Sequence, residues 1–218
     1  SLIVSLATLY SPDALQLVLV DPKRTDFGLF NRLPHLRGSQ GVITDAQQAI
    51  DVLSQLVNQE LEERTHTLEE ALYMNIHDYN ADHPNDLIPP IVVFVDEFAD
   101  LSDVMNTNDQ REDFNLALRR LAQRARSVGI HLVLATQRPT ADIIDGTIKA
   151  NLPCRVSFRL ESNVDSRTVL DQGGAEHLLG SGDMLLRHAG ETSRLQGLFL
   201  SNDDLRGVLR MIIQEHVD

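Results

Sequence analysis

The stretch IVVFVDEF, residues 91–98, decides the fold. Five apolar, mostly β-branched residues end abruptly in Asp96-Glu97, the pattern of a strand buried on both faces with two carboxylates at its carboxyl end. Three other apolar runs share this form: LQLVLV (15–20) closing on Asp21-Pro22-Lys23, HLVLATQ (131–137) closing on Thr136-Gln137, and CRVSFRL (154–160). Helical patterns separate them. Apolar residues Ala46, Ala49, Ile50, Leu53, Leu56, Val57 and Leu61 make one stripe of a long helix, opened by a capping box at Thr44 and Gln47. A second stripe, Phe114, Leu118, Leu121, Ala122 and Ala125, predicts a helix over 111–128 that Gly129 stops. Residues 1–10 space their apolar groups as the last turns of a buried helix do, and MLLRHAG followed by TSRLQGLFL reads as a hairpin before a short helix from Asp203. Alternating strands and helices give an α/β fold with a mainly parallel sheet flanked by helices. Polar groups at the carboxyl ends of its strands are where function collects.

Composition narrows the function classes. Apolar residues make up 42% of 218, enough for a packed core. The formal charge is −13, the wrong sign for a protein that coats nucleic acid, so any contact with DNA has to come from a local basic patch. The 149–167 stretch, with Lys149, Arg155, Arg159 and Arg167, is that candidate. A single cysteine, Cys154, excludes an internal disulfide, and the eight histidines lack paired metal spacing and read as surface or capping residues. No apolar run reaches the roughly 18 residues of a membrane span.

Asp96 and Glu97 side by side at a strand end match what nucleotide hydrolysis needs: one carboxylate to orient Mg²⁺ through its water shell, a second to polarise the attacking water. Alone, Asp96 reads more readily as a helix cap. Thr136-Gln137 at the end of the following strand strengthens the hydrolytic reading, because a neighbouring parallel strand brings that amide beside the carboxylates, within reach of a γ-phosphate.

The blocks LVLVDPKR, IVVFVDEFADL, RRLAQRARSVGIHLVLATQRP, IKANLPCRVSF and DSRTVLDQGGAEHLLGSGDMLL, in that order, resemble the motor domain of the FtsK/SpoIIIE DNA translocases. The resemblance implies a RecA-like P-loop NTPase core across residues 1–218, using ATP and Mg²⁺ and assembling as a ring, usually a hexamer, around double-stranded DNA. It implies Asp96 as the Mg²⁺ residue (through water), Glu97 as the catalytic base, and Thr136 with Gln137 as the nucleotide-sensing end of the next strand. Arg120, Arg124 and Arg126 are candidates for the positive side chain that a ring motor inserts into its neighbour's site; spacing does not choose among them. A cytoplasmic bacterial setting is implied too, with any membrane anchor elsewhere in a longer parent.

One departure stands out. No Gly-rich run ending in Gly-Lys-Ser/Thr occurs in these residues. In the family that loop precedes the helix matched by residues 1–10, so its strand is expected to be missing from the interior of the sheet, leaving two neighbours with unpaired backbone groups. Two other readings therefore stay open: a polypeptide-pumping ATPase of the type VII secretion kind, and a catalytically silent scaffold.

Overall fold

The computed structural model describes residues 1–38, 41–104, 107–141, 143–144 and 146–216. The chain divides into two compact units, a smaller one of residues 137–202 with Ser1 and a larger one of residues 2–136 and 203–218.

The larger unit is built on three parallel strands, β1 (Gln16–Val20), β2 (Ile91–Val95) and β3 (Ile130–Leu134), in that spatial order. Val18 stands opposite Val93, which stands opposite Leu132. All five residues of β2 are buried, as its unbroken apolar run requires. β2 pairs on both sides, whereas among the described strands β3 pairs with β2 alone and, after the buried Ile130, is only partly buried or exposed. The outer edge of β1 is also paired, by the turn-rich segment that follows it. Leu17 N–H donates to the His35 carbonyl and Arg37 N–H to that of Leu17, both at 2.8 Å, and Ile43 N–H donates to the Leu19 carbonyl at 2.8 Å. Such cover removes the hazard of an open strand edge.

Helix α1 (Leu2–Leu9) buries Ile3, Val4 and Ala7. Helix α2 (Ala46–Gln55) runs through a π turn at Leu56–Glu60 into α3 (Leu61–Glu70), so the long helix exists with one widened turn. Its cap is Asp45, whose side chain accepts from Gln48 N–H at 3.0 Å, and not Thr44: a carboxylate one residue later satisfies the same orphan donor. A short helix, α4, covers Ile76–Asp82, and α5 (Phe98–Val104) follows β2 directly. Helix α6 spans Asn108–Arg124, beginning three residues before the predicted start because Thr107 and Gln110 form a capping box. It ends four residues short of prediction. The chain then turns through Gly129, whose φ of +74° suits glycine. Phe114, Ala117, Leu118 and Leu121 of α6 are buried, and the helix packs on α2 and β3.

His35 corrects the view that the histidines are peripheral. It is 1% exposed, with Nε2 2.7 Å from the Tyr10 carbonyl, and burial holds its pKa below the ordinary value. Its ring faces His216, just past the closing helix. That helix, residues 202–215, is longer than the short element expected.

The smaller unit contains α7 (Gly146–Asn151), β4 (Arg155–Ser157), α8 (Asn163–Leu170), β5 (Asp183–His188) and β6 (Glu191–Gln196). The fourth apolar run does not join the parallel sheet. Only three of its residues form β4, which pairs antiparallel with β5. The predicted hairpin is β5–β6, joined by Ala189-Gly190, both at positive φ as a two-residue hairpin turn demands. Arg194 grips the buried Asp183 carboxylate at 2.9 and 2.6 Å across it. Leu170, Ala175 and Leu178 form this unit's core with Leu160, Val169 and Leu185 packed on it.

Candidate active site

The β2–β3 ladder runs one residue past each strand. Ala135 N–H donates to the Val95 carbonyl at 2.9 Å, and Phe98 N–H to the Ala135 carbonyl at 3.0 Å. These bonds bring Thr136 beside Glu97, and its hydroxyl donates to Glu97 Oε1 at 2.6 Å. Glu97 is 3% exposed with φ at +41°, in the left-handed region that side-chain-bearing residues seldom occupy. A strained, buried carboxylate held by a hydroxyl from the adjacent strand is a built arrangement, and strain of this kind clusters at functional sites.

Asp96 is half-buried, its N–H bonded to the Val20 carbonyl at 2.9 Å. Burial pushes its carboxyl up to about 6, helped by the charges of Asp26 and Asp21, a hydrogen bond with Asp26, and the charge of Glu97. Asp21 organises this corner. It is fully buried, and its Oδ2 accepts from Asp26 N–H at 3.0 Å and Phe27 N–H at 2.9 Å, folding the loop after β1 back over the end of β2. Its Oδ1 is buried without a hydrogen-bond partner. Lys23 pairs with Asp100 on α5.

Four carboxylates meeting with an orphaned buried oxygen fit a cation. Among the described residues no three His, Cys, Asp or Glu are placed to ligate a metal directly. Any cation here would be met through its water shell, and Asp96, the half-buried carboxylate of the group, is the residue that would face it.

This charge crowding has a measurable consequence. The folded-state pKa of Asp96 lies above that of an unfolded carboxyl (about 3.9), so acid favours the folded form here. Above about pH 6 the charge is carried against burial, and that stability is lost. Asp96→Asn is expected to melt above the wild type at neutral pH in chelator, with the gap shrinking below about pH 6 and closing near about pH 4. A gap independent of pH would contradict this origin.

The other sequence-derived candidates are placed as follows. Gln137 is exposed, immediately after Thr136 and at the start of the smaller unit. Arg120 is exposed near the end of α6. Arg124 is engaged by Glu62 at 2.9 Å, and Arg126, beyond the helix, is exposed. Arg159 is exposed beside Leu160, Glu161 and Glu176 in a shallow depression. Arg167 bonds Asn163 Oδ1 at 2.8 Å, while Lys149 and Arg155 both pair with Asp171. Sequence reasoning missed Asp26 as a neighbour of Asp96; the second aspartate of the DPKRTD run after β1 was the available signal.

Among known proteins, the model of the FtsK/SpoIIIE family matches residues 1–141. DNA translocase FtsK of Clostridium tetani is 43% identical over 218 residues, covering 97% of this chain and 28% of that protein. DNA translocase SpoIIIE of Bacillus subtilis is 40% identical, covering 98% and 28%. The chain thus spans little more than a quarter of the length of these relatives. Among solved structures, the pCW3 conjugation coupling protein TcpA, in its monomer form with ATPγS, matches with a TM-score of 0.83 at 26% identity, over 98% of this chain and 59% of that one. The cytoplasmic domain of the type VII secretion ATPase EccC from Thermomonospora curvata matches with a TM-score of 0.78 at 24% identity, over 97% and 25%, a likeness of fold. Among the described residues, no helix is long and apolar enough to cross a membrane.

Proposed function

Because the chain belongs to the FtsK/SpoIIIE family, we propose that it forms the hydrolytic part of an ATP-driven translocase of double-stranded DNA, its residues 1–218 acting as one motor domain in a ring, hexameric as the resemblance implies. The observation that carries this reading is Glu97: buried, backbone-strained and held by Thr136 at the end of the central strand. Such a carboxylate accepts a proton from a water aligned on a γ-phosphate, and Thr136 fixes which oxygen does so. Mg²⁺, when bound, neutralises charge on the phosphates; Asp96 holds its water shell, and Asp21 keeps Asp26 folded against Asp96. Gln137 follows Thr136 and serves as the contact to the γ-phosphate. The basic side chain offered to a neighbouring subunit comes from Arg120, Arg124 or Arg126; the exposed Arg124–Glu62 pair is weak enough to open. Lys149, Arg155, Arg159 and Arg167 face DNA and track phosphates without reading bases.

The test is ATP hydrolysis by a protein in which this chain is joined to a Gly-rich phosphate loop, measured with and without duplex DNA. Severalfold stimulation by duplex of any sequence is expected. Hydrolysis indifferent to DNA would turn the reading toward polypeptide transport, and none at all would leave the scaffold.

A further inference from the structure

Helix α3 ends in an arrangement that a glycine ordinarily supplies. Leu72 N–H donates to the Glu69 carbonyl at 3.1 Å and Tyr73 N–H to the Leu68 carbonyl at 2.8 Å, with Leu72 in the left-handed region at φ +62°. A leucine there carries strain that glycine avoids, and its side chain, 91% exposed, returns nothing to the core. Met74, two residues on, is 89% exposed. A lone apolar residue on a surface needs no explanation, but a strained one beside a second points to a use outside the fold.

Tyr73, between them, is firmly placed. Its ring meets those of Tyr79 and His83 edge-on, both at 5.5 Å, and Tyr79 and His83 stack at 4.2 Å with their planes 8° apart. Tyr73 Oη donates to Asp82 Oδ2 at 2.8 Å and Tyr79 Oη to Asp86 Oδ2 at 3.3 Å, while His83 Nδ1 lies 2.9 Å from the Tyr79 carbonyl. The three rings set Leu72 and Met74 on a fixed base, which leaves little freedom to lose on binding.

The rim carries one sign. Asp78, Asp82 and Asp86, in and just after α4, are exposed, and from Thr65 to Gln110 the sequence has no lysine or arginine. Each tyrosine takes one position on its carboxylate, which has room for about three more donors. A phosphate approaching here meets only carboxylates, so nucleic acid does not fit.

We propose that Leu72, Tyr73 and Met74, rimmed by Asp78, Asp82 and Asp86, form a docking surface for a basic segment of a partner protein, one that carries aliphatic and cationic side chains together. The aliphatic groups cover Leu72 and Met74, and the cations meet the rim, which sets the orientation of the segment. This surface lies outside the hydrolytic machinery and does not depend on the translocase reading.

The experiment uses the full chain and a fluorescein-labelled amphipathic peptide of leucine and lysine, followed by anisotropy at low salt. A peptide of the same pattern with glutamate in place of lysine is the control and is expected not to bind. Leu72→Gly is expected to weaken binding about tenfold while raising the melting temperature by about 2–4 °C, because glycine suits the left-handed turn. A merely structural Leu72 would not lose binding as the fold gained stability. Met74→Ser leaves the turn untouched and is expected to cost about fivefold, which keeps the test intact should Leu72→Gly lower the melting temperature. Asp82→Asn keeps an acceptor for Tyr73 and is expected to weaken binding about two- to fivefold and to flatten its salt dependence. Leu198→Ser with Phe199→Ser removes two equally exposed side chains of the smaller unit and is expected to change nothing. Loss of binding in that control, or unchanged binding in both Leu72→Gly and Met74→Ser, would overturn the proposal. Self-association of the chain in sedimentation velocity, abolished by Leu72→Gly, would overturn it too by making the occupant a second copy.

Discussion

Replacing Glu97 by Gln is expected to reduce ATP turnover by about 10²- to 10⁴-fold while leaving nucleotide affinity within a fewfold of the wild type. The substitution is isosteric, so the buried volume and the bond from the Thr136 hydroxyl at 2.6 Å survive, as does the backbone at φ +41°. What disappears is the capacity to take a proton. Phosphate release in steady state gives the turnover, and fluorescent-nucleotide titration gives the affinity, in the protein that includes a phosphate loop. Turnover near the wild-type value would remove Glu97 from the chemistry. A parallel loss of binding would mean that it holds the cation instead.

The second large effect concerns stability. Arg64 is 6% exposed and satisfies groups at the entry to two strands: it donates to the Pro89 carbonyl at 2.9 Å, ahead of β2, and to the Val128 carbonyl at 3.0 Å, ahead of β3. Its Nε binds Glu60 at 2.7 Å, Glu60 also pairs with Arg37, and Arg37 donates to Gln16 Oε1 at 2.7 Å, where β1 begins. The buried Arg64 guanidinium thus fastens α3 to the amino ends of β2 and β3, and through Glu60 and Arg37 the network reaches β1. Arg64→Leu leaves a carboxylate short of a partner and two carbonyls without donors, and is expected to cost about 3–5 kcal/mol, a large share of a domain's typical 5–15. Urea unfolding followed by circular dichroism measures it through the midpoint at constant slope. A loss under about 1 kcal/mol would show that water replaces the guanidinium, as at exposed pairs.

These two residues mark what a sequence discloses and what it hides. Asp96 and Glu97 were legible because an apolar run that stops on two acids can hardly be placed otherwise, and Thr136 because it closes the next such run. The three parallel strands followed from the same reasoning. Arg64 was hidden: its partners lie 64 and 25 residues away and are backbone carbonyls, which carry no residue-type signal. The fourth apolar run was misassigned because a three-residue edge strand and a buried parallel strand look alike over so short a length. Thr44 lost the cap to Asp45 because both accept the same kind of bond, and one residue of chain direction decides between them.

The crowding of Asp96 and the left-handed backbone of Glu97 also bear on how the protein would evolve. Asn at 96 relieves charge, and Gly at 97 relieves strain worth about 1–2 kcal/mol. A laboratory selection for heat resistance that never assays hydrolysis would accordingly fix substitutions at these two positions early, and its survivors would be sturdier and inert.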